Sequence, residues 1–190
     1  MSESLSVTAR LVPFEPLSCS LEFDAKVEFE GMNLKIQYGM RGDCHSILFP
    51  KLSPMPKRIP GLWEHTCFEA FFTWKKNSVY WELNLSPSGD WNLYFFKGYR
   101  QGQVEEKRVV SLIQQQTQSC SKEWIQTVEI DIRSLFGEED KVESGSSIWI
   151  GLSAVIEQLN QTKTYWAIRH TQSRPDFHSP DNFCLELSLP

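Results

Sequence analysis

The sequence predicts an all-β fold, an antiparallel β-sandwich of immunoglobulin-like or jelly-roll type. Three observations lead there. Apolar and polar residues alternate with period two in several segments, as they do when a strand sends successive side chains to opposite faces. Aromatic residues are abundant, with seven Trp and twelve Phe among 190 residues, and such side chains suit strands and packed sheet faces better than helix bundles. Turn signals recur at short intervals while helix signals are few, which gives about eight to ten strands and no α/β rhythm.

Taken in order, Leu21 to Phe29 sets Leu21, Phe23, Ala25, Val27 and Phe29 against Glu22, Asp24, Lys26 and Glu28, the pattern of a half-buried strand. Gly31 separates it from Asn33 to Tyr38, so the two form a hairpin. The segment from Pro50 to Pro60 is too rich in proline for a central strand and reads as a surface loop. The stretch from Leu62 to Arg100 carries the most information. Phe68, Ala70 and Phe72 form one apolar row, opposite Trp63, His65, Cys67, Glu69 and Phe71. After the polar connection Lys75 to Ser78, Trp81, Leu83 and Leu85 repeat the apolar row opposite Tyr80, Glu82, Asn84 and Ser86. If these strands pair, Glu69 and Glu82 share a face.

The run Ser86-Pro87-Ser88-Gly89-Asp90 is the strongest turn signal, since Pro presets φ and Gly supplies a positive φ, and Trp91 to Tyr99 resumes as a strand. Trp124, Gln126, Val128, Ile130 and Ile132 form one face of another strand, and a short helical turn follows at Arg133 to Gly137. Ile148 to Glu157 and Thr164 to His170 are the arms of a further hairpin, and Cys184 to Leu189 closes the fold. With no internal repeat, linker or second composition regime, residues 1–190 read as one domain.

Nineteen basic against twenty-four acidic residues give a net charge of −5. No Lys/Arg cluster could track a phosphate backbone, so nucleic acid is not an expected partner. There is no apolar run long enough to span a bilayer and no export signal at the start of the sequence, which points to the cytoplasm. The five cysteines, Cys19, Cys44, Cys67, Cys120 and Cys184, are odd in number, scattered and without a CxxC pair. They read as free thiols.

Three segments together, WEHTCFEAFF, YWELNLSPSGDWNLYFFKGYR and YWAIRHTQSRPDFHSPDNF, resemble DOMON-like domains related to family 9 carbohydrate-binding modules. The resemblance spans roughly Leu62 to Phe183. It implies a β-sandwich and ligand binding without catalysis, the ligands of members being sugar or haem. On the sugar reading it implies that Trp63 and Trp166 clamp a sugar ring while Glu69, Glu82, Asn84 and Arg169 bond its hydroxyls. Aromatic faces meet the C–H faces of a pyranose, and acid, amide and guanidinium groups read its hydroxyls. The bland alternative has Trp63 beneath the proline-rich loop, Trp166 packed in the sandwich and Glu82 neutralised by Arg169. Trp81, on the apolar row, is expected in the core.

Haem would need axial ligands, for which His45, His65, His170, His178, Met32, Met40 and Met55 are available, without a CxxCH fingerprint. A calcium ion, which some relatives carry, would draw on loop carboxylates, first Asp90, Asp176 and Asp181. The loop His170 to Asp181 holds two histidines and two aspartates, which is equally the composition of an ordered lid. Glu69 and Glu82 could also serve as the acid and base of a glycosidase, although GxSxG, HExxH, P-loop and dinucleotide fingerprints are all absent. An aromatic face bordered by acids would suit a protein partner as well.

Overall fold

Period-two alternation is realised as twelve strands in a computed structural model that describes residues 5–17, 20–74, 79–109, 111–119, 122–135 and 146–188. In chain order they are β1 (Leu5–Pro13), β2 (Leu21–Glu30), β3 (Asn33–Gly42), β4 (Cys67–Thr73), β5 (Tyr80–Leu85), β6 (Trp91–Phe96), β7 (Val104–Glu105), β8 (Ile113–Ser119), β9 (Glu123–Asp131), β10 (Ser147–Glu157), β11 (Lys163–Ala167) and β12 (Leu185–Ser188). All twelve pair antiparallel with their neighbours. One layer runs β1-β2-β3-β9-β8 and the other β7-β6-β5-β4-β10-β11, with β12 extending the same edge of β10 that β11 occupies. β1 belongs to both layers, pairing with β2 along Leu5 to Leu11 and with β11 at Val12 and Pro13. Among the described residues no helix is long and apolar enough to cross a membrane.

The expected apolar rows close on each other between the layers. Phe68, Ala70, Phe72, Trp81, Leu83 and Leu85 from one layer are buried against Phe23, Val27, Ile36 and Tyr38 from the other. Phe23 meets Phe68 edge-on at 5.7 Å, and Tyr38 stacks on Phe68 at 5.2 Å. Offset and edge-on rings of this kind add to what area burial alone provides. The Tyr38 hydroxyl does not stay orphaned in this core, because it donates to the Glu69 carbonyl at 2.7 Å. That bond ties the first layer to the strand that carries the site.

At its centre the second layer is buried on both faces. Every residue of β4 and β5 is buried, so the outer row is not the open sheet face that alternation alone suggests. What covers it is the chain from about residue 171 to 184. Phe177 and Phe183 pack there with Phe71, Tyr80, Tyr94, Phe96, Val155 and Ala167 as a second apolar cluster. Gly151 permits the approach: a Cβ at that position would lie 2.9 Å from both the Asn182 carbonyl oxygen and the Phe183 ring.

The hairpins expected around Gly31 and around Gln158 to Lys163 form, and Gly31 takes the positive φ of 61° that its turn requires. The short helical turn is present at Arg133–Leu135. β1, β7 and β8 have no counterpart among the strands expected from sequence. β8 is written in Gln, Thr and Ser, too polar for a hydrophobic period, while β1 alternates Leu5, Val7, Ala9 and Leu11, a signal that can be read. The segment expected to begin a strand at Trp63 instead makes a 3₁₀ turn at Leu62–Glu64, and the strand starts at Cys67. The connection Lys75 to Ser78 lies outside the described residues.

Candidate functional site

Alternation along five strands brings one set of side chains to the outer face of the second layer. Register places Glu69 of β4 opposite Asn84 of β5 and Ser153 of β10, while Glu82 lies opposite Phe71 and Tyr94. The two carboxylates are therefore diagonal neighbours on one face, and both line a cavity of about 480 Å³. Trp63, Phe96, Tyr165 and Phe177 form aromatic parts of its walls, and Arg100, Lys163, Glu64 and His178 supply its other ionisable groups. Trp63 and Glu64 also border a second cavity of about 630 Å³ beneath the proline-rich loop.

The polar groups are held in place by a clamp between distant segments. Asp176 accepts from Arg100 Nη2 at 2.8 Å and Nε at 3.3 Å, and its other oxygen accepts from the Tyr99 hydroxyl at 2.6 Å. Asn182 reaches back to the Asp176 carbonyl. Arg100 adopts a left-handed φ of 52°, rare for a residue with a Cβ, and its backbone N–H donates to the Tyr80 hydroxyl at 3.1 Å. The same hydroxyl is hydrogen-bonded to His178 Nδ1, 2.9 Å away. The other ring nitrogen, Nε2, faces Glu82 Oε2 at 3.9 Å.

Burial governs the charges. It pushes Glu82 up to about 7 against the pull of the Asn84 amide, which donates to Glu82 Oε1 at 2.8 Å, and of Arg100. Glu69 stands well above the carboxylate range for the same reason, reinforced by the Glu82 charge. The pair thus carries less than its two formal charges at neutral pH, as two carboxyls close together in a dry place do. His178 is driven down to about 4, first by burial and then by the Arg100 charge. Asp176 behaves oppositely: burial would raise it, but the Tyr99 and Arg100 hydrogen bonds outweigh that and hold it below its usual range.

Of the residues expected to meet a ligand, Trp63, Glu69 and Glu82 line the cavity together. Asn84 lies on the same face, buried and committed to Glu82. Trp166 is a correction. It is 2% exposed, packs edge-on against Phe23 at 5.8 Å and donates to Thr164 Oγ1, so it belongs to the core. Its place in β11 puts it on the inner face, and it is Tyr165, next in sequence, that reaches the cavity. Arg169 is a second correction: it is exposed beyond the end of β11, away from the cavity, and the guanidinium that serves the site is Arg100. Trp81 is in the core as expected.

The loop carboxylates do not converge. Asp90 braces its own turn, accepting from the Ser88 hydroxyl at 2.9 Å and from the Lys57 N–H at 3.0 Å. Asp176 is taken by Arg100 and Tyr99, and Asp181 is exposed in the Pro180–Asn182 turn. Among the described residues no three His, Cys, Asp or Glu side chains cluster as metal ligands would. The histidines are dispersed too: His65 pairs with Glu157 at 2.8 Å, His170 donates to the Val12 carbonyl and His178 sits in the cavity. Met40 is buried in the core. Cys67 and Cys184 are free thiols and Cys44 is buried, whereas Cys19 and Cys120 lie outside the described residues.

No family model and no curated protein matches the sequence. Solved structures do. A protein of Bacteroides uniformis ATCC 8492, provisionally named as carbohydrate-binding, superposes with a TM-score of 0.66 at 14% identity, covering 95% of this chain and 86% of that one. A family 9 carbohydrate-binding module of Caldicellulosiruptor kristjanssonii matches more loosely. Its glucose complex gives a TM-score of 0.44 at 9% identity, over 81% of this chain and 69% of that one, and its cellotriose complex 0.47 at 8%, over 86% and 71%. The first likeness establishes a shared fold. The expected kinship with DOMON domains rests on the sequence resemblance alone.

Proposed function

We propose that this protein is a non-catalytic binding module whose ligand is a saccharide or a similar polar small molecule, held in the cavity over β4, β5, β10 and β11. The observation that carries the reading is the meeting of two buried carboxyl groups, Glu69 and Glu82, with aromatic walls in one cavity of about 480 Å³. That volume suits a ring-sized ligand, and aromatic walls with convergent polar groups that fix orientation are usual in such sites. Trp63 stands at the mouth, 38% exposed and set edge-on to Tyr94 at 5.9 Å, which suits it to lie against a sugar's C–H face. A ligand longer than one ring would continue past Trp63 into the cavity under the proline-rich loop. The fold shared with a provisionally named carbohydrate-binding protein is consistent with this reading.

The test is calorimetric titration with a broad panel of mono- and disaccharides, run on the native protein and on Trp63→Ala. Binding to the former that falls at least about tenfold in the latter, a loss of roughly 1.4 kcal/mol, supports the reading. A folded native protein that gives no heat with any sugar overturns it.

A further inference from the structure

The two carboxyl groups lack a cationic partner that their burial calls for. Glu69 and Glu82 are 3% and 4% exposed, yet among the described residues no lysine or arginine forms an ion pair with either, and the single ionisable contact is His178 Nε2 at 3.9 Å from Glu82. Buried carboxylates are ordinarily paired, since an unpaired charge in a dry site is strongly unfavourable. Of the cations that share the cavity, Arg100 is committed to Asp176 and acts on the two carboxyls only through its charge, and Lys163 lines the wall without an ion pair to either group. Glu64 adds a further negative charge at the mouth. The floor thus carries a carboxyl pair and is bordered by the rings of Phe96, Tyr165 and Phe177, whose faces favour a cation.

Building on the saccharide reading above, we propose that the preferred ligand carries an ammonium group, an amino sugar with its amine seated between Glu69 and Glu82 and its ring against Trp63. A neutral hexose leaves the carboxyl pair with the protons that burial imposes. An ammonium group supplies the missing counter-charge, draws the pair toward its ionised form and makes charge-assisted hydrogen bonds to it. Binding therefore releases protons to solvent. His178 does not compete as a cation at neutral pH, because burial and Arg100 keep it uncharged.

The experiment is titration calorimetry at about pH 7 with glucosamine, galactosamine and mannosamine, each beside its parent hexose and its N-acetyl derivative, in two buffers of different ionisation enthalpy. At least one amine should bind about tenfold or more tightly than both its neutral counterparts, with a buffer-dependent heat that reports proton release. Glu82→Gln is nearly isosteric and removes a buried charge, so it preserves the fold. It should reduce the preference for the amine, read as the ratio of amine to parent-hexose affinity within the same variant, to about twofold, the expected result when a charge-assisted bond becomes a neutral one. Equal binding of amine and parent hexose, or an amine preference that survives both Glu82→Gln and Glu69→Gln, overturns the amino-sugar inference and leaves the saccharide reading standing. Silence across the whole panel overturns both.

Discussion

The two tryptophans that the sequence pairs as platforms part company at the level of single residues. Trp63 retains 38% of its surface and makes one ring contact, with Tyr94. Trp166 retains 2% and sits beside Phe23 in the core. Truncating Trp166 to Ala should therefore destabilise the domain by about 3–5 kcal/mol in chemical denaturation, as for other buried aromatics. Trp63→Ala should change the midpoint little and act on binding. The reverse ranking would reverse the assignment.

Charge gives a second residue-scale expectation. Glu82 titrates near 4.5 in the unfolded chain and near 7 in the fold, so between those values the folded state holds the extra proton and stability falls as pH rises. His178 goes from 6.5 unfolded to about 4 folded. Its contribution is present above 6.5 and lost as pH falls toward 4. The two slopes oppose each other from about 4.5 to 6.5, and just above 6.5 the Glu82 slope remains, with Glu69 adding to it in the same direction. The melting temperature should thus decline above about pH 6.5, and Glu82→Gln should flatten the decline.

At the scale of elements, the chain from about residue 171 to 184 is what turns a sheet face into a cavity. It is fastened by Asp176 to Arg100 and Tyr99, and it lies flat because residue 151 of β10 has no side chain. Gly151→Ala would push a methyl group against the Asn182 backbone and the Phe183 ring, and it should destabilise the domain by about 1–3 kcal/mol, the usual range for overpacking. Asp176→Asn keeps the shape but removes the charge that Arg100 holds. Amide exchange in the segment from 171 to 184 should accelerate while β2 and β3 stay protected, since a segment that loses its fastening opens locally. Uniform acceleration across the protein would show that the clamp supports the whole fold. Neither device can be read locally: Arg100 lies 76 residues from Asp176, and its left-handed backbone follows from a turn that sequence does not define.

Taken whole, the molecule is two antiparallel layers with a strand, β1, that hydrogen-bonds to both. The sequence by itself determined the fold class, because a period of two is a property of neighbouring residues and survives any arrangement of the strands. It determined the face assignment for the same reason. Phe68, Ala70 and Phe72 went inward, and Glu69 and Glu82 outward together, as alternation requires. It determined the major hairpins where Gly and polar turn residues mark them, and it left β7 and β8 unmarked because short or polar strands carry little hydrophobic pattern. Only the tertiary structure decided that the outer face is covered, that Tyr165 reaches the cavity in place of Trp166, and that Arg100 rather than Arg169 lines it. Those outcomes depend on which distant segments pack together, and a segment's parity within its own strand does not say which layer its face will meet.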